Sequence, residues 1–486
     1  MMAKRTEKTS PRLRKIHSYL WEIERSGGMR VPGRIFISES MIDRVCSDGG
    51  LDQVVNVAHL PGIVGYSFAM PDIHWGYGFP IGGVAATDPA QGGVVSPGGV
   101  GYDINCGVRV ATTHLERADV ERKLEALVTS LFRHIPTGLG SSGAIRKVSS
   151  KELDRVMVIG ARWAVEQGYG SKGDLAHTEE EGCLGGADPS AVGQRARSRG
   201  CEQLGTLGSG NHFVEIDVVE EIYHKEAARE FGLRPGQIAL QIHTGSRGFG
   251  HQVCDDYLKV MARAVRKFNL QLPDRQLACA PVESAEGGAY LAAMACAANF
   301  AWANRQTIMA LAERAMLECL GMTPRDLGLT LLYDVCHNIA KLEDHEVGRE
   351  VRRLCVHRKG ATRAYPPRGV KNPWRTGQPV LIPGDMGTES YICVGQEKSL
   401  RETWGSTCHG AGRMMSRKGA IRKARGRNIK QELRRLGITV RYEGRTTLAE
   451  EMPEAYKDVD EVVRTCHGAG ISKMVARLKP VGVMKG

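Results

Sequence analysis

Apolar residues recur at three-to-four spacing between Ala118 and Ile135, at Val120, Leu124, Leu127, Val128, Leu131 and Phe132, with charges opposite. That period predicts an amphipathic helix, stopped by Pro136. The alanine-rich stretch from Tyr290 to Leu320 predicts a long core helix, and residues 151–200 read as helical and charged. Other stretches have the pattern of strands. Met29–Ile37 alternates, ahead of a short helix around Ser40–Cys46. Residues 238–251, IALQIHTGSRGFGH, read as a buried strand ending at His243, then a glycine turn holding Arg247. Residues 329–338, LTLLYDVCHN, read as a strand ending at His337 and Asn338. In residues 203–217, QLGTLGSGNHFVEID, a glycine turn enters a strand-like run carrying Asn211, His212 and Glu215. A strand over 378–395 is interrupted by P-G-D-M-G-T, and Ser416–Leu436 reads as a very basic helix or arm. The expectation is an α+β fold in a single large domain whose strand ends converge on one site. Residues 1–50 would be a basic N-terminal arm and the start of that domain, and 51–486 its main body.

Charge and cysteine usage narrow the class. The net charge of +12 suits a protein that handles polyanions. Thirteen cysteines, an odd number with no C-x-x-C pair, argue against a disulfide framework or zinc ribbon and for a reducing cytoplasm. No run of about 18 apolar residues is present, so no membrane span is expected. The basic N-terminus lacks the apolar segment of a secretory signal.

The candidate chemistry centres on SPGGVGYDINCGVR, residues 96–109. Asp103 and Cys106 are close enough in sequence to reach one ion, and a carboxylate with a thiolate suits zinc or manganese. Alone, D-x-x-C is a common tight turn with a buried cysteine. Three strands that each deliver a histidine at or near an end (His212, His243, His337) change that balance. With Asp103 and Cys106 they make five ligands, enough for one metal or a bridged pair. Cys336 adjoins His337, but alternation points it the opposite way. Asp72 and His74, in the glycine- and proline-punctuated run 60–83, are candidates for a support shell. Gly138, Gly140 and Gly143 match G-x-G-x-x-G only formally, since a helix precedes them, and no Walker-type loop exists. His409 lies in a glycine turn flanked by Arg413 and Arg417.

Taken in order, PDIHWGYGFPIGG, SPGGVGYDINCGVR, QLGTLGSGNHFVE, HTGSRGFGH, DVCHNIA, VHRKGATRA, GDMGTESY, STCHGAGR and the terminal VGVMKG resemble the RtcB family of RNA-splicing ligases over about residues 55–486. The resemblance implies joining of an RNA 3′-phosphate or 2′,3′-cyclic phosphate to a 5′-hydroxyl, with GTP and Mn²⁺, as in tRNA splicing or RNA repair. It implies that Asp103, Cys106, His212, His243 and His337 bind two manganese ions with Cys106 bridging, and that His409 takes GMP covalently. Guanosine contacts would come from Asn211, His212, Phe213, Val214, Glu215, His337, Asn338, Pro383, Gly384, Asp385, Met386, Ser390, His409, Gly410, Ala411, Gly412, Tyr456 and Lys485. Arg199, Arg247, Lys359 and Arg413 would hold RNA phosphates. The resemblance also implies RNA as the partner; whether an archease-type activating protein is required stays open, and a monomer in the cytoplasm is the expectation. One position departs from the family: Asp385 stands where the turn usually carries Ser or Thr. A carboxylate there would repel a triphosphate unless it faces away or is neutralised.

T-C-H-G-A-G occurs twice, at Thr407–Gly412 and Thr465–Gly470, so His467 is a second candidate nucleophile. Arg413 and Arg417 follow His409, whereas Ile471 and Ser472 follow His467. A histidine attacking a triphosphate needs cations nearby, which favours His409. Two rival classes remain in view. A binuclear phosphodiesterase would leave the His409 loop and Lys485 idle, and an RNA-binding subunit with a structural metal would leave the glycine-rich cleft unexplained.

Overall fold

The computed structural model describes residues 11–367 and 374–486. Helices and two large sheets are interleaved along the chain, an α+β arrangement. One sheet has seven strands in the spatial order Leu13–His17, Leu20–Ile23, Gly33–Phe36, Ile63–His74, Ile81–Thr87, Glu350–Lys359 and Asn338–Val347. Its pairings are antiparallel except where Gly33–Phe36 runs parallel to Ile63–His74.

The second sheet places the site. Its order is Thr330–Cys336, Gly107–Glu116, Gln237–Thr244, Phe213–Ile222, Ser472–Lys485, Ser390–Gly395 and Pro379–Ile382, with Thr439–Tyr442 parallel to Ser472–Lys485. Register brings strand starts and strand ends to one edge. Gly107 pairs with both Cys336 and Thr244, His243 pairs with Phe213, and Phe213 pairs with Lys485. Cys106, His212, His243 and His337 therefore leave the same edge because antiparallel neighbours alternate in direction.

The helix Ala285–Leu320 supports that edge from beneath. Most of its residues are buried, as expected of a helix apolar almost all round. Three of its buried polar residues are bonded to the loops around it. Asn299 donates to Met157 O and Leu184 O. Asn304 accepts from the amides of Gly205 and Thr206 and donates to Thr206 O and Gly245 O. Arg305 donates to Asn105 O at 2.8 Å, Thr244 O at 2.9 Å and the Asp334 carboxylate at 2.8 Å. Arg109 reaches Asp334 from the neighbouring strand at 2.7 Å, and all three side chains are 0% exposed.

Several sequence expectations change. The helix expected over Ala118–Ile135 is three pieces: Arg117–Val120, the 3-10 turn Glu121–Lys123 and Leu124–His134. A reciprocal cap between Glu116 and Asp119 closes the first piece as a separate turn. Ser416–Leu436 is two helices, Arg417–Lys423 and Ile429–Arg435. Gly426 at φ 76° and the Asn428 cap separate them. Within the stretch read as an arm, Leu20, Ile23, Ile35 and Phe36 are buried on short strands of the seven-stranded sheet. Residues 1–10 of that stretch lie outside the described residues.

Buried ion pairs are costly to break, because removing one partner leaves the other charge without compensation. Asp334→Ala should therefore destabilise the protein by about 3–5 kcal/mol, read as a lower denaturation midpoint in urea. An unchanged midpoint would show that the two arginines do not need the carboxylate.

Candidate metal and nucleophile site

Asp103 and Cys106 are turned toward one point by Asn105, whose backbone is left-handed at φ 52°. Asparagine tolerates that conformation well, and here its amide is bonded at both ends: Nδ2 donates to Ala298 O and Oδ1 accepts from Arg305. Around the turn the five expected ligands fall into two groups sharing one residue, Cys106 with His243 and His337, and Asp103 with Cys106 and His212. In each group the ligand atoms lie within 4.8 Å of one another. Cys106 Sγ is 3.3 Å from His243 Nε2 and 3.5 Å from His212 Nε2.

Hydrogen bonding behind the rings selects the tautomer. His212 Nδ1 faces Leu207 O at 3.1 Å, and His243 Nδ1 faces Asn211 O at 3.2 Å. A carbonyl only accepts, so each Nδ1 carries a proton, and Nε2 is the ligand atom of the neutral ring. His212 Nε2 then sits 2.8 Å from Asp103 Oδ2, and His243 Nε2 sits 3.4 Å from His337 Nε2. Nitrogen, oxygen and sulfur donor atoms gathered this closely, on imidazoles oriented by carbonyls, are the chemistry of a metal site. Burial, then neighbouring histidines, holds His243 and His337 well below the usual 6.5, so both stay neutral ligands. Burial, then Asp103, pushes the metal-free Cys106 thiol well up. The residues present fit a divalent metal.

His409 stands beside this group, its ring 4.8 Å from that of His337. Asp72, from the strand Ile63–His74, accepts from His409 Nδ1 at 2.5 Å and from the His409 amide at 3.0 Å. Burial works against the Asp72 charge, but His409 holds the carboxyl below its usual value. Nδ1 is thereby the protonated nitrogen and Nε2 is free to act as a nucleophile. Lys457 fixes the segment, donating through Nζ to Pro71 O and Ile73 O and through its amide to Gly412 O. The support expected of Asp72 is thus a direct grip on His409, while His74 bonds Asp72 O and faces the cleft. Lys457 gives no sequence signal, since its partners lie nearly 400 positions away.

A cleft of about 540 Å³ opens over these groups, within the usual range for ligand pockets. Of the residues expected to contact guanosine, it is lined by Asn211, Phe213, His337, Asn338, Pro383, Gly384, Asp385, His409, Gly410, Ala411, Gly412, Tyr456 and Lys485. His212 lines a second cavity of about 990 Å³, which meets the first at Asp103, Asn211 and Arg417. Four expected contacts do not line either cavity. Val214 and Met386 are wholly buried in apolar clusters. Ser390 Oγ accepts from the Gly384 amide, fixing the turn, and Glu215 is buried near Lys485 with one carboxyl oxygen unpartnered.

Asp385 is turned inward. It accepts from the Gly387 amide at 2.8 Å and from Thr388 Oγ1 at 2.9 Å, and burial raises its carboxyl to about 6. The four expected phosphate-binding cations diverge. Arg199 and Arg247 line the second cavity. Arg413 lines the first, but its donors are taken by Glu451, Tyr456, Glu450 O and Met415 O. Lys359 lines neither: it is 3% exposed and donates to Tyr77 O and Phe79 O, and burial lowers its amine to about 7. Lysine needs acceptors when buried, and two carbonyls supplied them ahead of any ligand.

The sequence profile described as tRNA-splicing ligase RtcB matches residues 53–486. A tRNA-splicing ligase RtcB from Archaeoglobus fulgidus is 54% identical over 479 residues, covering 98% of this chain and 99% of that protein. One from Thermococcus kodakarensis is 51% identical over 481 residues, covering 98% and 99%. An RNA-splicing ligase RtcB from Mycobacterium bovis is 50% identical over 438 residues, covering 89% of this chain and 100% of the relative.

Because Cys106 is common to both ligand groups, Cys106→Ala should weaken divalent-metal binding at both together. Titration calorimetry with Mn²⁺ should show loss of at least tenfold in affinity, while Cys336→Ala on the far face leaves binding unchanged. Full metal binding by Cys106→Ala would remove the thiolate from the ligand set.

Proposed function

The chain belongs to the RtcB family of tRNA-splicing ligases, and we propose that it joins RNA ends through a guanylate carried on His409. The carrying observation is the Asp72–His409 pair, which bares one imidazole nitrogen in the cleft that holds the metal-ligand group. The substrates are an RNA 3′-phosphate, or a 2′,3′-cyclic phosphate first opened by water, and an RNA 5′-hydroxyl. GTP is consumed.

In the first step His409 Nε2 attacks the α-phosphorus of GTP, the bond to pyrophosphate breaks, and pyrophosphate leaves. Asp72, bonded to Nδ1–H, stabilises the positive charge that the ring gains as the P–N bond forms. An oxygen of the RNA 3′-phosphate then attacks the same phosphorus. The P–N bond breaks, its electron pair returns to His409, and the RNA ends in a diphosphate-linked guanosine. In the last step the 5′-hydroxyl oxygen attacks the RNA phosphorus, GMP leaves, and the hydroxyl proton passes to solvent. Two Mn²⁺ ions fit the paired ligand groups, Asp103–Cys106–His212 and Cys106–His243–His337, and would supply neutralisation of phosphate charge.

The remaining residues hold the partners. Phe213, Tyr456 and Lys485 line the guanosine end of the cleft, with the Lys485 ammonium 5.5 Å from the Phe213 ring centroid. The inward Asp385 keeps its charge within its own turn, so the departure from Ser or Thr is compatible with a triphosphate. Arg199 and Arg247 line the second cavity, which opens at Asp103 and suits the RNA 3′ end. The basic chain as a whole favours a polyanion.

With α-labelled GTP and Mn²⁺, wild-type protein and His467→Ala should become labelled and His409→Ala should not. The reverse pattern would refute the assignment, and no labelling of any form would favour a metal-dependent phosphodiesterase. An RNA labelled in its 3′-terminal phosphate should keep that label in the new internal bond. Joining of a 3′-hydroxyl end to a 5′-phosphate end instead would overturn the chemistry.

A further inference from the structure

We propose that the indole of Trp75 is the platform on which the base of the RNA 3′-terminal nucleotide stacks as its phosphate enters the His409 cleft; this inference rests on the RNA-joining reading above. Trp75 is 58% exposed, and among the described residues no other large aromatic side chain is so open to solvent. Tryptophan usually buries most of its area, so an open indole in a cleft wall needs a reason.

The backbone that carries the ring is anchored. The Trp75 amide donates to Asp48 Oδ2 at 3.1 Å. Gly49, left-handed at φ 76°, lies against the ring edge, where an added Cβ would stand 3.8 Å from Cδ1. Trp75 follows the strand that carries Asp72, and His74 between them bonds back to Asp72 O at 2.8 Å. The indole is therefore carried on the same stretch of backbone that grips His409.

Its surroundings are those of a single-strand binding surface, which combines stacking faces with loosely held cations. Trp75 lines the His409 cleft together with Met414 and Arg417. Met414 is 48% exposed. The Arg417 side chain is 58% exposed, its nearest carboxylate oxygens 3.6 and 3.9 Å away. Arg417 opens a helix, Arg417–Lys423, that adds further exposed cations. The guanosine end of the cleft is different, since Phe213 and Lys485 there are 1% and 2% exposed. The rim position of Trp75 thus matches an RNA base rather than the guanine of GTP.

The test is the affinity of Mn²⁺-loaded protein for a single-stranded RNA ending in a 3′-phosphate, measured by fluorescence anisotropy. Trp75→Ala should bind about tenfold or more weakly, as expected for loss of one base–aromatic stack, and Trp75→Phe should keep most of the affinity. An RNA whose 3′-terminal nucleotide is abasic should bind wild type more weakly by a similar factor and bind Trp75→Ala no worse than the intact RNA does. Labelling of Trp75→Ala by GTP should equal that of wild type, which also reports an intact fold. Wild-type affinity in Trp75→Ala, an equal loss with intact and abasic RNA, or loss of GTP labelling would each overturn the proposal. Failure of the wild type to take label would instead count against the joining mechanism, while the RNA-binding comparison would still be readable.

Discussion

The buried carboxylate of Asp334, shared by Arg109 and Arg305, is the constraint on which the ligand edge depends. Each member belongs to a different element: Arg109 and Asp334 to adjacent strands, Arg305 to the long helix. Arg305 spends its other donors on Asn105 and Thr244, the residues beside Cys106 and His243. One guanidinium thus fixes the relative position of two ligand-bearing loops and the strand that leads to His337. Arginine suits the task because its planar fork satisfies several acceptors in fixed directions, which a lysine ammonium cannot. The arrangement buries two cations with one carboxylate, and the excess positive charge favours an anion nearby. Cys106 is adjacent: burial and Asp103 keep its thiol protonated, and Arg305 works against them, toward the thiolate.

The same economy extends to the neighbouring loop. Asn338 donates to Asp103 O and accepts from the Gly360 amide, and the His337 amide donates to Cys106 O. Glu179 accepts from the Cys336 amide and pairs with Lys341, so the residue before His337 is held from the opposite side. Ligand positions are set by bonds to backbone rather than by contacts among the ligands themselves. That matters because the side chains themselves meet only at a few ring nitrogens, a carboxylate and a thiol, contacts too few to set their own positions. A scaffold of this stiffness would hold the donor atoms ready for a cation, which is preorganisation in the sense used for metal sites.

The convergence of these side chains was legible in the sequence because each histidine stands at or near the end of an apolar run, with glycines beside His212 and His243 that report a turn. Strand ends in antiparallel neighbours must then meet at one edge. What supports the ligands was not legible. Asn304 and Arg305 read only as interruptions in an alanine-rich stretch, because their hydrogen-bond partners are backbone groups from residues 105, 205–206 and 244–245. The destinations of cations were equally hidden. Arg413 and Lys359 stand in family-like motifs, yet both spend their donors on protein acceptors, Glu451 in one case and the carbonyls of Tyr77 and Phe79 in the other. Charge along a sequence tells that a polyanion is favoured, but burial decides which cations remain free to meet it.

The repeated hexapeptide shows how far context outweighs local sequence. At Thr407–Gly412 the segment begins as a short strand, Ser406–Cys408, paired with Ala361–Arg363. At Thr465–Gly470 the same six residues finish the helix Val459–Ala469. The final glycine is left-handed in both, at φ 73° and 77°, so the turn chemistry is common to the two copies. The difference lies upstream. Trp404 and Gly405, both left-handed, break the chain after the helix Glu397–Glu402 and release the first copy into a strand. The second copy follows Asp458, which caps the helix, and Val459, Val462 and Val463, whose spacing buries one helical face and carries the period through Cys466. His467 is thereby left on an exposed helix end, where its Nδ1 meets only the Met474 amide. His409 instead leaves a strand end facing the Asp72 carboxylate and the ring of His337. His409 gains its orientation from an acceptor 337 residues away, and the identical histidine without that acceptor is an ordinary surface residue.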